Sequence, residues 1–139
     1  MIISLRYYLL LLLFILPRGA IAAEPIDTVQ SVIESQIGAF LNDDKTEAYS
    51  YASPQIRGKF PNEDVFFEMV RRGYAPVYRP GNFAFGRSKI EGGRVVQEVL
   101  ISAPDGKDWT ALYFLEKQPD GSYKINGVQM LQQAPGPEI

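Results

Sequence analysis

Two hydrophobic periods divide the chain. In the first, Ile26, Val29, Ile33, Ile37 and Phe40, flanked by Val32 and Leu41, recur at intervals of three and four. That spacing predicts an amphipathic helix with a broad apolar stripe. Asp27 and Gln30 have capping-box spacing at its start, and Asn42-Asp43 ends it. Asp44 and Glu47 repeat the spacing and open a short helix through Ala48 and Ala52. Ser53-Pro54 reads as an N-cap followed by a first-turn proline, beginning one more turn that closes at Gly58. Asn62 caps a fourth piece over 63–72, in which Phe66, Met69 and Val70 share a face, with Gly73 as its natural terminator.

From Tyr74 onward the period falls to two. Ala75-Pro76 and Pro80-Gly81 bracket a short extended piece at Val77-Tyr78. Phe83 and Phe85 alternate, and a bulge at Gly86 switches the parity, turning Ser88 and Ile90 inward and Arg87 and Lys89 to water. Gly92-Gly93 fits a two-residue hairpin turn. Strands over 94–102, 108–117 and 122–131 follow, joined by Pro104-Asp105-Gly106 and Pro119-Asp120-Gly121. Helices followed by a four-stranded antiparallel meander make an α+β domain, with the helices packed on one face of a curved sheet.

Strand alternation sorts the last three strands onto two faces. Val95, Gln97, Val99 and Ile101 fall with Trp109, Ala111, Tyr113 and Leu115, and with Tyr123, Ile125, Gly127, Gln129 and Leu131. The first face is the richer in aromatics and is assigned to the helices. Gln97, Tyr113 and Gln129 then point into an apolar interior. Either they bond to backbone or to each other, or they line a pocket and orient a small apolar or anionic ligand. Trp109, Tyr74, Tyr78 and Arg79 complete that candidate pocket, Arg79 being either a cation at its mouth or a plain loop charge. The opposite face collects Val96, Leu100, Leu112, Phe114, Val128 and Met130, an apolar patch that predicts a homodimer through the sheet or a partner surface.

The N-terminus adds a compartment. Arg6, the apolar run from Tyr7 to Leu16, the break at Pro17 and Gly19, and Ala20-Ile21-Ala22 have the form of a cleavable secretory signal over 1–22. The apolar run is shorter than the roughly 20 residues a membrane span needs, and no Cys follows it as a lipid anchor. The expected organisation is therefore a signal peptide, one domain over 23–131 and a loose tail over 132–139, in the periplasm. No nucleic acid is expected as a partner, and no membrane once the signal is removed.

The chain has no Cys and no His, so disulfides, zinc sites and His-based dyads drop out. No metal and no cofactor are expected. The formal charge is −2, but it is uneven: residues 24–70 hold nine acids against three bases, while 71–94 hold six bases against Glu91 alone. The basic stretch reads either as an attraction for an anionic partner or as a charged hairpin edge that resists strand-to-strand association. Asp43, Asp44 and Glu47 do not match a calcium loop and are explained by helix capping. Arg71 and Arg72 suit a helix C-terminus. Chemistry of the lyase or isomerase kind can run on Tyr and a carboxylate. It requires an acid on the inner strand face, and this register puts Glu98 and Glu116 on the other, although a one-residue slip reverses that.

Gln36 with Ala39-Phe40, Asp43-Asp44, 52–56 (ASPQI), Phe60, Phe67 with Met69-Val70, 74–77 (YAPV), 109–113 (WTALY) and 120–127 (DGSYKING) together resemble an uncharacterised family of exported bacterial, largely proteobacterial proteins, the domain of unknown function 4864 family. The likeness spans nearly the whole mature chain. It departs at Tyr123 and Val128, where similar proteins favour Trp and Cys. The element order resembles the NTF2-like cone, in which helices and sheet enclose a cavity, with a cystatin-like arrangement as the alternative. The resemblance implies an architecture and no activity. The expectation is a non-enzymatic small-ligand-binding or accessory domain, with a small lyase or isomerase and an assembly factor acting through the sheet as alternatives.

Overall fold

The computed structural model of the protein describes residues 25–132. The expected signal peptide, and all but Gln132 of the expected tail, lie outside them. The elements run α1 (Pro25–Leu41), α2 (Lys45–Ser50), α3 (Pro54–Lys59), α4 (Glu63–Gly73), α5 (Ala75–Tyr78), then β1 (Asn82–Glu91), β2 (Arg94–Ser102), β3 (Asp108–Lys117) and β4 (Tyr123–Gln132). The strands form one antiparallel sheet in the order β1-β2-β3-β4.

The α1 stripe is buried along Val29, Ile33, Gln36, Ile37, Ala39 and Phe40. Each fully buried Ile or Phe there contributes about 1.5–3 kcal/mol of apolar transfer. Helices α2, α3 and α4 start where their caps dictate. Asp44 accepts from Glu47 N at 3.0 Å, Ser53 from Ile56 N at 3.2 Å and Asn62 from Val65 N at 2.9 Å, each satisfying an N–H left over by the helix.

Two local expectations are corrected. Gly73, expected just past the end of α4, is instead its last residue, and Tyr74 N donates back to Val70 O at 2.8 Å. Val77-Tyr78 is not extended either. Pro76 sits in the first turn of α5, where its missing N–H costs nothing, and Arg79 N completes the turn on Ala75 O at 2.9 Å.

The β1 bulge falls where expected, but Ser88 and Ile90, expected to turn inward, stay exposed on this edge strand, Ile90 at 46%. Phe83 and Phe85 pair with Ile101 and Val99, and beyond the irregularity Ser88 and Ile90 pair with Gln97 and Val95. Gly86 is needed by close approach, since a Cβ there would stand 2.9 Å from Glu98 Oε2 and 3.1 Å from Glu98 Cβ. That carboxylate clamps the bulge, accepting from Arg87 N at 3.0 Å and from the Arg87 guanidinium at 2.8 Å.

A second bulge, in β4, overturns part of the expected face assignment. Leu115 pairs with Ile125 and Phe114 with Gly127, leaving Asn126 unpaired. The connection between α2 and α3 docks on this outer edge: Ile125 N donates to Tyr51 O at 2.8 Å and Ser53 N to Ile125 O at 2.9 Å. Ser53 Oγ donates to Asn126 Oδ1 at 2.7 Å. With one residue extruded, every later side chain changes face. Val128 and Met130, expected in the outer patch, sit opposite Tyr113 and Ala111 and pack on the core. Gln129, expected inside, stands exposed opposite Leu112.

The helices cover the face that carries Tyr113, which is 0% exposed together with Val99 and Gln97. The opposite face has no helix over it among the described residues.

Candidate functional site

Packing the helices across the sheet leaves a cleft of about 100 Å³ beside β4. Ile125, Gly127 and Val128 form its floor, and Gln36 and Phe40 reach it from α1. Ala52, Ile56 and Phe60 line it from α3 and its flanks, and Phe66, Met69, Val70, Tyr74 and Val77 from α4, α5 and the junction between them. The walls are fixed by an aromatic cluster in which the Phe66 ring lies 6.3 Å from Phe40, 5.4 Å from Tyr49 and 6.5 Å from Phe60. Phe67 extends it, 5.8 Å from Phe40 and 5.4 Å from Tyr78.

Among the described residues the lining is apolar apart from Gln36 and the Tyr74 phenol, and it holds no charged side chain. Gln36 is 3% exposed. Its Nε2 donates to the Ala48 carbonyl at 3.1 Å, and that acceptor fixes which end of the amide points away. The sequence did carry a signal for it: Gln36 stands three residues after Ile33 and four before Phe40, on the buried stripe of α1.

Of the residues expected to form a pocket, Tyr74 lines the cleft. Gln97 is buried but filled in. Its Oε1 accepts from Ser88 Oγ and from Gln30 Nε2 at 3.3 Å, and its Nε2 donates to the carbonyls of Glu98 at 2.8 Å and Gly86 at 3.3 Å. It pins the β1 bulge to β2 and α1, the structural role of a satisfied buried amide. Tyr113 is sealed in the core beside Val128, its hydroxyl has no protein partner among the described residues, and burial pushes the phenol above its ordinary pKa. Trp109 is half-buried away from the cleft, in a shallow groove with Asn82 and Phe83.

Tyr78 and Arg79 are engaged within the chain. Both bind Asp43, the phenol at 3.0 Å and the guanidinium at 2.6 Å. Arg79 also donates to Phe40 O and lies 4.0 Å over the Tyr78 ring. The Arg79 guanidinium, then the Tyr78 hydroxyl, hold the Asp43 carboxyl below its ordinary pKa. Asp43 is thus a tether between the end of α1 and α5, not a helix cap, and it takes a φ of 53° to do so. Glu98 and Glu116 face outward with Arg87 and Arg94, at 2.8 and 3.7 Å. Among the described residues no three carboxylates gather as metal ligands.

Comparison with known proteins places these features in context. The model of a family described as "Domain of unknown function (DUF4864)" matches residues 23–138. A crystal structure of an NTF2-like protein of unknown function from Shewanella baltica OS155 superposes with a TM-score of 0.55 at 15% identity, covering 79% of this chain and 94% of that one. A second, from Burkholderia xenovorans LB400, gives 0.47 at 15% identity over 80% and 90%. The Shewanella likeness shows the fold, NTF2-like, and at that identity nothing more. No curated protein matches the sequence.

Proposed function

The chain belongs to the DUF4864 family, and from that premise we propose that it is an exported, non-enzymatic binding domain whose cleft receives the end of a small, largely apolar ligand. The observation that carries this reading is the cleft itself, lined by apolar groups from α1, α4, α5 and β4 around a buried amide. Its volume of about 100 Å³ is below the roughly 300 Å³ of pockets that enclose a drug-sized molecule. It is closer to the ~150 Å³ cavity that admits benzene. A ring or short chain fits, with the rest of a larger ligand outside. A lyase or isomerase would require a carboxylate beside an inner-face tyrosine, and Glu98 and Glu116 stand on the outer face, so the geometry favours binding. Export is supported by the pattern of residues 1–22.

Titration with toluene tests the cleft: saturable binding with stabilisation supports the proposal, and the absence of any saturable binding refutes it. Recovery of the chain from the periplasm with its N-terminus near Ala23 tests export; recovery of intact Met1 from the cytoplasm refutes it.

One observation favours a second role for the outer sheet face. Leu100, Phe114 and Leu131 are 41%, 37% and 44% exposed, around Val96 and Leu112. The β4 bulge exchanges Val128 and Met130 for Leu131 in that patch. Acids (Glu98, Glu116) and bases (Arg87, Lys89, Lys124) flank it, so a second copy docked by a two-fold axis can set unlike charges against each other. Sedimentation at micromolar concentration would show a dimer that Leu112→Lys with Phe114→Lys dissolves; a monomeric wild type refutes this reading.

A further inference from the structure

The Gln36 amide is committed at one end only. Its Nε2 is spent on the Ala48 carbonyl, at 3.1 Å, while Oε1 accepts from no group among the described residues. A flip of the amide would set oxygen against the Ala48 carbonyl oxygen, so the backbone of α2 fixes the orientation. The residue is 3% exposed, yet it lines the cleft, and its Oε1 is not among the side-chain atoms sealed without a partner; among the described residues Tyr113 Oη alone is. What remains open to the cleft is therefore a carbonyl acceptor set among Phe40, Val70, Ile125 and Val128; the Tyr74 phenol is the other polar group of the lining, and no Lys or Arg joins it among the described residues.

Resting on the binding proposal above, we infer that the cleft selects a neutral ligand that carries a hydrogen-bond donor on its apolar end (an alcohol, phenol or amide N–H) and rejects carboxylates and other anions. The acceptor rewards a donor that would otherwise lose its hydrogen bonds to water on entering an apolar site. A carboxylate finds no donor at Gln36, because both amide protons belong to the end turned toward Ala48; the Tyr74 hydroxyl is the one neutral donor left to it, and it meets no counter-charge among the described lining residues.

The ligand series toluene, phenol and benzoate, titrated into the full chain and followed by NMR, separates these statements. An apolar site without an acceptor penalises phenol against toluene by about a hundredfold, because its hydroxyl is stripped of water for nothing. With Oε1 as acceptor, phenol binds within about tenfold of toluene, benzoate does not compete, and the Gln36 side-chain amide resonances respond to phenol more than to toluene. In Gln36→Leu, toluene binding persists while the phenol affinity drops about tenfold or more relative to it. Toluene binding with phenol a hundredfold weaker, or benzoate competing as well as phenol, overturns the inference and leaves the cleft as a binding site. Failure of toluene and phenol alike overturns the binding proposal and this inference with it. Should Gln36→Leu not fold, the three ligands on the wild-type chain still decide.

Discussion

Tyr113 and Gln97 are both completely buried on the inner face of the sheet, and removing their polar groups should change stability in opposite directions. Tyr113→Phe deletes a hydroxyl that has no protein partner among the described residues. Burying such a group costs about 1–3 kcal/mol by mutational measures. The small void left by one oxygen takes back only a few tenths of that at about 24 cal/mol per Å³. The net expectation is a gain of roughly 1–2 kcal/mol at neutral pH, or about 4 °C or more in Tm. The same hydroxyl sets an alkaline signature. Its folded pKa is raised by burial above the ordinary value of 10.0, so the unfolded chain gives up this proton first. Its contribution is intact below pH 10 and is lost as pH rises beyond it, at about 1.4 kcal/mol per pH unit. Tyr51, also raised, chiefly by burial, adds a contribution of its own. Tyr113→Phe should therefore be more stable at pH 7 and lose stability less steeply above pH 10. Urea unfolding followed through the fluorescence of Trp109, the single tryptophan, measures both, with an unchanged m-value as the control. A variant less stable by 1 kcal/mol or more, or an alkaline limb no shallower than that of the wild type, would refute the reasoning.

Gln97→Leu should instead lose about 2–4 kcal/mol, because it strands the Glu98 and Gly86 carbonyls and the Ser88 hydroxyl that the amide now satisfies; equilibrium urea unfolding gives the value. Asp43→Ala should lower the denaturation midpoint at neutral pH by releasing Arg79 and Tyr78. Since the folded pKa of Asp43 is depressed below 3.8, that difference from wild type is present above this value and closes as pH falls through the folded pKa. Gly81→Ala would bring a Cβ to 2.7 Å from the Ser102 carbonyl oxygen. A backbone clash of that kind costs about 1–3 kcal/mol, readable as a drop in Tm.

Most of the fold was legible because its signals are local. The α1 stripe, the caps at Asp44, Ser53 and Asn62, the turns and the β1 bulge at Gly86 are each written within a few residues. The β4 bulge was not, because its cause is distant: Ser53 binds Asn126 across 73 positions, and nothing in the alternation of β4 announces an extra residue. That single insertion moved Gln129 out of the interior and Val128 and Met130 into it. Pro76 was misread for a related reason, since a proline that ends one helix also opens the next when the chain turns at once. The site was legible only in part. Tyr74 was found, whereas Gln36, a polar residue between Ile33 and Phe40 on the α1 stripe, was passed over because the stripe was read from its apolar members alone.

The account depends on the cleft beside β4 being a place where an apolar group enters. Methyl NMR of the full chain during a toluene titration tests this most directly. The methyl groups of Ile56, Met69, Val70, Ile125 and Val128, which line the cleft, should shift together along one saturable curve, while those of Leu100 and Leu112 on the outer sheet face stay still. Unmoved cleft methyls, or saturable shifts confined to Leu100 and Leu112, would contradict it.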